Sequence, residues 1–378
     1  MIEFQEFNAR KIVDVHRHVD GPWFWDKYSA HPYVGCRSGC EFCFLRGGRY
    51  LGRRDQATFD SLIQVKVNAP ALLKKELARL EKDVIVCGDW QQPAEDRYRL
   101  SREMLEVVYE FGFPLFVVER SPLITRDLDL LASINARGWA GVAISLSSPD
   151  GPQKQAFEPH SPGVRRRLEA MSSLANAGIL VGAALMPILP GVGDHPTMLE
   201  EILRSVRDHG GTFALGGSVT MEGLQAEMTM AAARAFDPAL EEEWRKLYRW
   251  EDGGKPSYSP DRVYSAGLQR TVRELCEKVG LKDRMPRYIP PGPLAVNKRI
   301  AEKLFLKTHD LELELAQTSR IWAYRKAAWT VDEHRESIKD LHRKGGEAAL
   351  RELPGIGTRL AALIARWLLE EDEWVPQA

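Results

Sequence analysis

The sequence predicts an α/β protein with a parallel sheet, a partial (β/α) TIM-like barrel, followed by a small all-α domain. Three observations predict it. Short β-branched runs alternate with amphipathic stretches from residue 70 to residue 216. The runs are near-continuously apolar, as strands buried on both faces must be. Beyond Pro293 the pattern is wholly helical and more densely charged.

The elements follow in order. Residues 1–30 form an N-terminal extension rich in His, Asp and Trp with no readable period. Strands are predicted at Asp83–Cys87, Pro114–Val118, Gly141–Leu146 and Leu180–Met186, with a weaker one at Gly211–Gly216. Helices are predicted at Pro70–Leu80, Leu100–Phe111, Arg126–Ala136, Pro162–Ala177 and Thr197–Asp208. Five or six such units make a partial barrel, whose functional loops follow the strand C-termini. A helical segment from Leu224 to Val279, broken by the polar stretch Glu251–Pro260, completes a catalytic domain over 31–290. Pro286, Pro290, Pro291 and Pro293 punctuate a linker at 291–309, and residues 310–378 form the second domain.

Composition narrows the class. The 378 residues are 44% apolar and 28% charged, ordinary for a globular protein, and the net charge of −1 advertises no polyanion partner for the whole chain. Five cysteines, three of them clustered, suit a reducing compartment and a metal site better than a disulfide framework. The N-terminus has no apolar core of a signal peptide, and Gly178–Leu189 is too short to cross a bilayer, so a cytoplasmic protein without membrane partners is expected.

The chemistry is concentrated in Cys36-Arg37-Ser38-Gly39-Cys40-Glu41-Phe42-Cys43, a C-x3-C-x2-C loop. Three thiolates are one short of what a four-iron cubane needs, and an iron without a protein ligand can bind a substrate. A zinc knot is the alternative, with His16, His18 or His31 as fourth ligand. The spacing, with an aromatic just before the third cysteine, resembles the signature of radical S-adenosylmethionine (radical SAM) enzymes. His31-Pro32-Tyr33-Val34-Gly35-Cys36, Val65-Lys66-Val67-Asn68-Ala69-Pro70, Arg126-Asp127-Leu128-Asp129-Leu130-Leu131 and Phe157-Glu158-Pro159 extend the likeness. Together they resemble the branch that contains spore photoproduct lyase and its DNA repair photolyase-like relatives.

The resemblance implies a [4Fe-4S] cluster on Cys36, Cys40 and Cys43, S-adenosylmethionine (SAM) as cofactor, and a flavodoxin- or ferredoxin-type electron donor. It also implies SAM contacts. Phe42 would pack near the adenine, Gly88 and Asp89 would receive the methionine amine, and Arg120 would meet the carboxylate. Ser145 and Ser147 would hold the ribose hydroxyls or carboxylate, and Pro187-Ile188-Leu189-Pro190-Gly191 would pass the adenine. Without the resemblance, Ser145 and Ser147 read as strand-end hydroxyls, Asp89 as a helix cap and Arg120 as half of an ion pair. Cys87 lies 44 residues after Cys43, near where the lyase has a hydrogen-donating cysteine. It reads equally as that donor or as a core residue. Phe44 stands where the lyase has a tyrosine, and His31 replaces the Asn usual in this branch.

The second domain carries Leu353-Pro354-Gly355-Ile356-Gly357-Thr358-Arg359 between helical patterns. Two glycines around one aliphatic make a tight hairpin whose backbone N–H groups suit a phosphate. With Ala323-Tyr324-Arg325-Lys326-Ala327-Ala328 upstream, residues 316–370 resemble the helix-hairpin-helix amino-terminal domain of X-family DNA polymerases. The likeness implies sequence-independent DNA binding through Lys326, Gly355, Gly357, Thr358 and Arg359. Leu363 stands where some of those polymerases have a lyase lysine. Ten Lys and Arg against six Asp and Glu between Ala316 and Leu368, a net +4, agree with a phosphate-facing surface. A hairpin used for protein contacts is the alternative.

The resulting reading is a radical SAM enzyme that acts on DNA, with lesion repair of the lyase type preferred. Modification of intact DNA or RNA is the first alternative. A DNA-binding protein with a structural or redox-sensing cluster is the second.

Overall fold

The computed structural model describes residues 2–19, 23–47 and 58–373. The chain divides into two compact units, one of Met1–Arg17 with Asp26–Pro286, the other of His18–Trp25 with Arg287–Ala378.

The first unit is a mixed α/β body. Its strands are β1 (Glu3–Phe7), β2 (Val13–Val15), β3 (Tyr28–Ala30), β4 (Tyr33–Val34), β5 (Leu62–Lys66), β6 (Ile85–Gly88), β7 (Leu115–Glu119), β8 (Ala140–Ser145), β9 (Leu180–Ile188) and β10 (Ala214–Ser218). The main sheet runs β10-β9-β8-β7-β6-β3-β2, parallel throughout except for the antiparallel β2–β3 pair. The helices Ala69–Leu77, Leu100–Phe111, Leu128–Arg137, Val164–Asn176 and Pro196–Asp208 fall in the gaps between strands. The last four of these each cross between parallel neighbours, as such a sheet requires. The five strands predicted from apolar runs are all present, within a few residues of the expected ends.

Every second residue of these strands enters one apolar core. Ile85 and Cys87 of β6, Leu115 and Val117 of β7, Val142 and Ile144 of β8, and Val181 and Ala183 of β9 share it with Leu73, Met104 and Leu105 of the covering helices. A strand's side chains alternate, so the other residues point to the opposite face.

Residues 2–17 and 26–30 of the extension are part of this body. β3 lies beside β6, pairing Tyr28 with Ile85, and β1 pairs with β5 in a second, three-stranded sheet, β1-β5-β4. Asn68 explains the attachment. Its side chain does not cap the helix that follows; its Oδ1 accepts from Ala9 N at 2.8 Å and its Nδ2 donates to Ala9 O at 2.9 Å. Glu76 then accepts from the backbone of Ile12 and Val13. Asn68→Ala removes both Ala9 bonds and is expected to cost about 1–3 kcal/mol in urea unfolding.

The second unit is helical, with Ala295–Leu313, Thr318–Asp332, Ile338–Arg351 and Thr358–Glu373. The expected linker at 291–309 is mostly the first of these helices, and Val296, Ile300, Leu304 and Leu311 are buried along it. Those residues recur at four- and seven-residue spacing, a helical face that the preceding prolines obscured. Trp25, in the extension by sequence, packs on Phe305 and beneath Arg287 in this unit.

Candidate functional site

The C-terminal ends of β6 to β8 bring the predicted site residues together. Gly88 ends β6 and Ser145 ends β8, each on the face opposite the apolar core. Asp89 follows Gly88 in the left-handed region, at φ +56°. Arg120 follows β7.

The cysteine loop is held against these ends. Cys36 Sγ lies 3.9 Å from Asp89 Oδ1. Glu41 N donates to Phe157 O at 2.9 Å, Gln225 Nε2 to Phe42 O at 3.2 Å, Thr229 Oγ1 to Glu41 O at 3.0 Å and Arg46 Nε to Cys40 O at 3.2 Å. The loop's turns need glycine. Gly35 has φ +94°, and a Cβ there would stand 2.6 Å from Phe59 O.

Cys36 and Cys40 are buried and Cys43 is half-buried. Burial first, then Asp89 and the other two thiols, pushes the Cys36 thiol well up, and the Cys43 thiol rises to about 12 for the same reasons. Such a pocket favours thiolates only when positive charge sits among them, which iron supplies. Among the described residues, no three His, Cys, Asp or Glu side chains converge as ligands to one ion. Three cysteines that ligate three different irons need not converge, so the loop fits a multinuclear cluster. The proposed zinc histidines are engaged elsewhere: His16 with Asp26 and Ser29, His18 with Glu333, and His31 with Gly88 O.

Two residues overlooked from sequence organise the polar centre. Glu158 is fully buried and accepts from Arg120 Nη1, from Arg167 Nη2 at 2.8 Å, from Ser148 Oγ at 3.0 Å and from Ser161 Oγ at 2.6 Å. Burial pushes its carboxyl up, but Arg120 and Arg167 outweigh this and hold it below its ordinary value. Arg120 Nη2 also donates to Ser147 Oγ at 3.2 Å, and its guanidinium carbon lies 5.8 Å from the Phe42 ring centroid. Arg120 therefore is half of an ion pair, and it also stands among Cys40 and Asp89, which with Glu158 keep it charged against burial. Glu119 is the second overlooked group. Burial, then Asp89, raises it to about 7, opposed by the N–H groups of Ser121, Arg120 and Gln91. Sequence signals existed for both: Glu158 lies in the Phe157-Glu158-Pro159 motif, and Glu119 precedes Arg120 at a strand end.

Phe42 is buried with Leu189, Val192 and Met221, which places the 187–191 segment beside the cysteine loop. Ser145 is buried, and its carbonyl accepts from Arg167 Nη1 at 3.0 Å. Cys87 does not join the site. It shares the parity of Ile85, belongs to the helix-facing core and is 1% exposed. One residue before Gly88, it points the other way, which corrects the hydrogen-donor reading. Phe44 is 50% exposed.

His31 is held at about 4, chiefly by burial and then by Lys66, with the Gly88 carbonyl opposing. Its folded value lies below the unfolded one, so its stabilisation is complete above about pH 6.5 and is lost as pH falls toward 4. His31→Gln is expected to flatten that limb of the stability profile by about 2–3 kcal/mol, measured by urea unfolding across pH.

The second unit holds the hairpin. The helices Ile338–Arg351 and Thr358–Glu373 are joined by a turn anchored on buried Leu353 and Ile356, with Gly355 at φ +76°. Gly355, Gly357, Thr358 and Arg359 are exposed, and Ala361 N donates to Gly357 O at 2.9 Å to open the helix. Lys326 is exposed beside Gly355, its Cβ 3.8 Å from where a Gly355 Cβ would lie. All five expected contact residues thus lie on the turn or next to it.

No family model matches the chain. An uncharacterised protein of Mycobacterium tuberculosis is 28% identical over 238 residues, 61% of this chain and 70% of that one. The radical SAM Nα-GlyT isomerase of Pseudomonas phage M6 is 24% identical over 179 residues, 46% of this chain and 36% of its own length. Among solved structures, a spore photoproduct lyase variant with bound AdoMet and dinucleoside spore photoproduct superposes with a TM-score of 0.53 at 19% identity, over 74% of this chain and 81% of that one. Among the described residues, no helix is long and apolar enough to cross a membrane. A parallel sheet covered by helices, its strand ends gathering the cysteine loop, gives this chain a fold like that of spore photoproduct lyase.

Proposed function

We propose that this protein is a radical SAM enzyme that acts on DNA, with lesion repair as its reaction. The observation that carries the reading is the loop of three cysteines, two buried and one half-buried, set against Asp89 and Arg120 at the ends of parallel strands. Cys36, Cys40 and Cys43 hold a [4Fe-4S] cluster. When bound, cluster and SAM supply reductive cleavage to a 5′-deoxyadenosyl radical that takes a hydrogen atom from the substrate. A small electron-transfer protein of the flavodoxin or ferredoxin type provides the electron.

The chain's own residues bind and orient. Asp89 receives the ammonium of SAM through charge-assisted bonds, with Gly88 leaving room for it. Burial raises the Asp89 carboxyl, which Arg120 and then Cys36 oppose, while Arg120 and Arg167 are both paired with Glu158, so an ammonium beside Asp89 holds it charged. Arg120, fixed by Glu158 and Ser147, offers its charge to the SAM carboxylate with little rotamer freedom to lose. Phe42 packs against the adenine, and Ser145 and Ser147 serve the ribose.

The hairpin of the second unit binds DNA phosphates through the N–H groups at Gly355, Gly357, Thr358 and Arg359, with Lys326 beside them. Such contacts give affinity without sequence information, as a lesion-seeking enzyme needs. The likeness to a spore photoproduct lyase structure with bound dinucleoside photoproduct supports a pyrimidine photoproduct as the lesion.

The test is anaerobic reconstitution, reduction and addition of SAM, with 5′-deoxyadenosine measured beside ultraviolet-irradiated and intact DNA. Nucleoside that rises with irradiated DNA alone supports repair. Equal stimulation by intact DNA or RNA points to modification instead. No nucleoside with the cluster intact overturns the enzymatic reading.

A further inference from the structure

We propose that Trp322 is a stacking platform for an unpaired base of the DNA strand whose phosphates lie on the hairpin; this rests on the DNA-binding reading above.

Trp322 is 42% exposed, on the helix Thr318–Asp332. Residues 322, 326 and 330 recur every four positions, so they share one face of that helix. The same face meets the hairpin: Thr330 Oγ1 donates to Pro354 O at 2.9 Å, and Lys326 adjoins Gly355. Trp322 therefore continues the hairpin's phosphate surface by one helical turn, about 6 Å along the axis from Lys326. A strand anchored at the turn is led across it.

The indole is also braced. The Arg325 guanidinium carbon lies 5.1 Å from its centroid, and Arg325 is itself fixed by Glu312. Trp329 meets it at 6.1 Å and 60°. Trp329 is held in turn by its Nε1 bond to Val19 O at 3.2 Å and by stacking on His18 at 4.3 Å. A large aromatic held in place with this much of its surface open is set up for an external π-face. The charge around it selects the partner. Arg325 against the ring and Lys326, exposed one turn along the same face, favour an occupant that carries negative charge as well as a flat ring, as a nucleotide does. Bases in an intact duplex already stack on each other. Only an unpaired or extruded base is free to lie on Trp322, and a damaged pair releases one most easily.

The experiment uses the full-length protein with a labelled, fully paired duplex and the same duplex carrying a short single-stranded gap. Wild type is expected to bind the gapped DNA more tightly by fluorescence anisotropy. Trp322→Ala should weaken gapped binding about tenfold or more, bringing it to parity with the paired duplex, whose affinity stays as it was. Trp322→Phe should retain most of the preference and lose the quenching of tryptophan emission seen on gapped DNA. Circular dichroism establishes that each variant is folded. Equal binding of both DNAs by wild type, or a preference that survives in Trp322→Ala, overturns the platform and leaves the hairpin reading in place. Failure of wild type to bind either DNA overturns the DNA-binding reading and the platform with it.

Discussion

Cys40→Ala is expected to abolish 5′-deoxyadenosine formation and to strip the protein of its iron, while the first unit stays folded. Two remaining thiolates cannot ligate three irons, so the loss is of the whole cluster. The loop itself is held by backbone groups that alanine keeps. Glu41 N still reaches Phe157 O, Gln225 and Thr229 still donate to the carbonyls of Phe42 and Glu41, and Arg46 still donates to the carbonyl of residue 40. Iron content and visible absorbance should therefore fall to background while far-ultraviolet circular dichroism is retained. Cys87→Ala is the control. It removes a sulfur from the apolar core, costs about 1 kcal/mol of stability, and leaves cluster and SAM cleavage in place. Loss of SAM cleavage in a folded, iron-replete Cys87→Ala protein would restore that thiol to the chemistry.

Glu158→Leu should be among the most destabilising single substitutions in the first unit, at about 3–5 kcal/mol in urea unfolding. The carboxylate is fully buried, and its removal leaves Arg167, itself fully buried, without its anionic partner. The hydroxyls of Ser148 and Ser161 lose their acceptor as well. Glu158→Gln keeps the volume but not the charge and should fall between wild type and leucine. It also releases Arg120 from one of its two holds, leaving Ser147. SAM affinity, measured by calorimetry on the folded glutamine variant, should then fall more than the cluster's own absorbance changes. Unchanged affinity would make Glu158 a purely structural anchor.

The strands were legible because a parallel sheet covered by helices demands apolar residues on nearly every position, a pattern that composition alone displays. The helices between them were legible for the complementary reason, their period. What the pattern could not show was the fate of short polar segments. β1, β2 and β3 of the extension are too brief to announce themselves; Asn68 and Glu76 clasp the backbone between β1 and β2 at Ala9, Ile12 and Val13, and β3 is held by its pairing with β6. The same holds at the other end. The prolines before Ala295 read as a linker, whereas the residues after them form a packed helix.

By itself, the sequence determined which residues meet at the strand ends, because local spacing decides that much: three cysteines in one loop, Gly88 and Asp89 after one strand, Arg120 after the next. It also marked the turn at Gly355–Gly357, since two glycines around a buried isoleucine admit few backbone paths. Only the tertiary structure decided which way side chains face. Cys87 and Gly88 are neighbours in the chain and lie on opposite faces of the sheet, and that alternation, not the spacing from Cys43, assigns the thiol to the core. Arg120 and Glu158 are 38 residues apart, and their pairing exists because β7 and the segment after β8 end at the same edge of one sheet. Long-range electrostatics of this kind depends on where burial removes water, which no local pattern records.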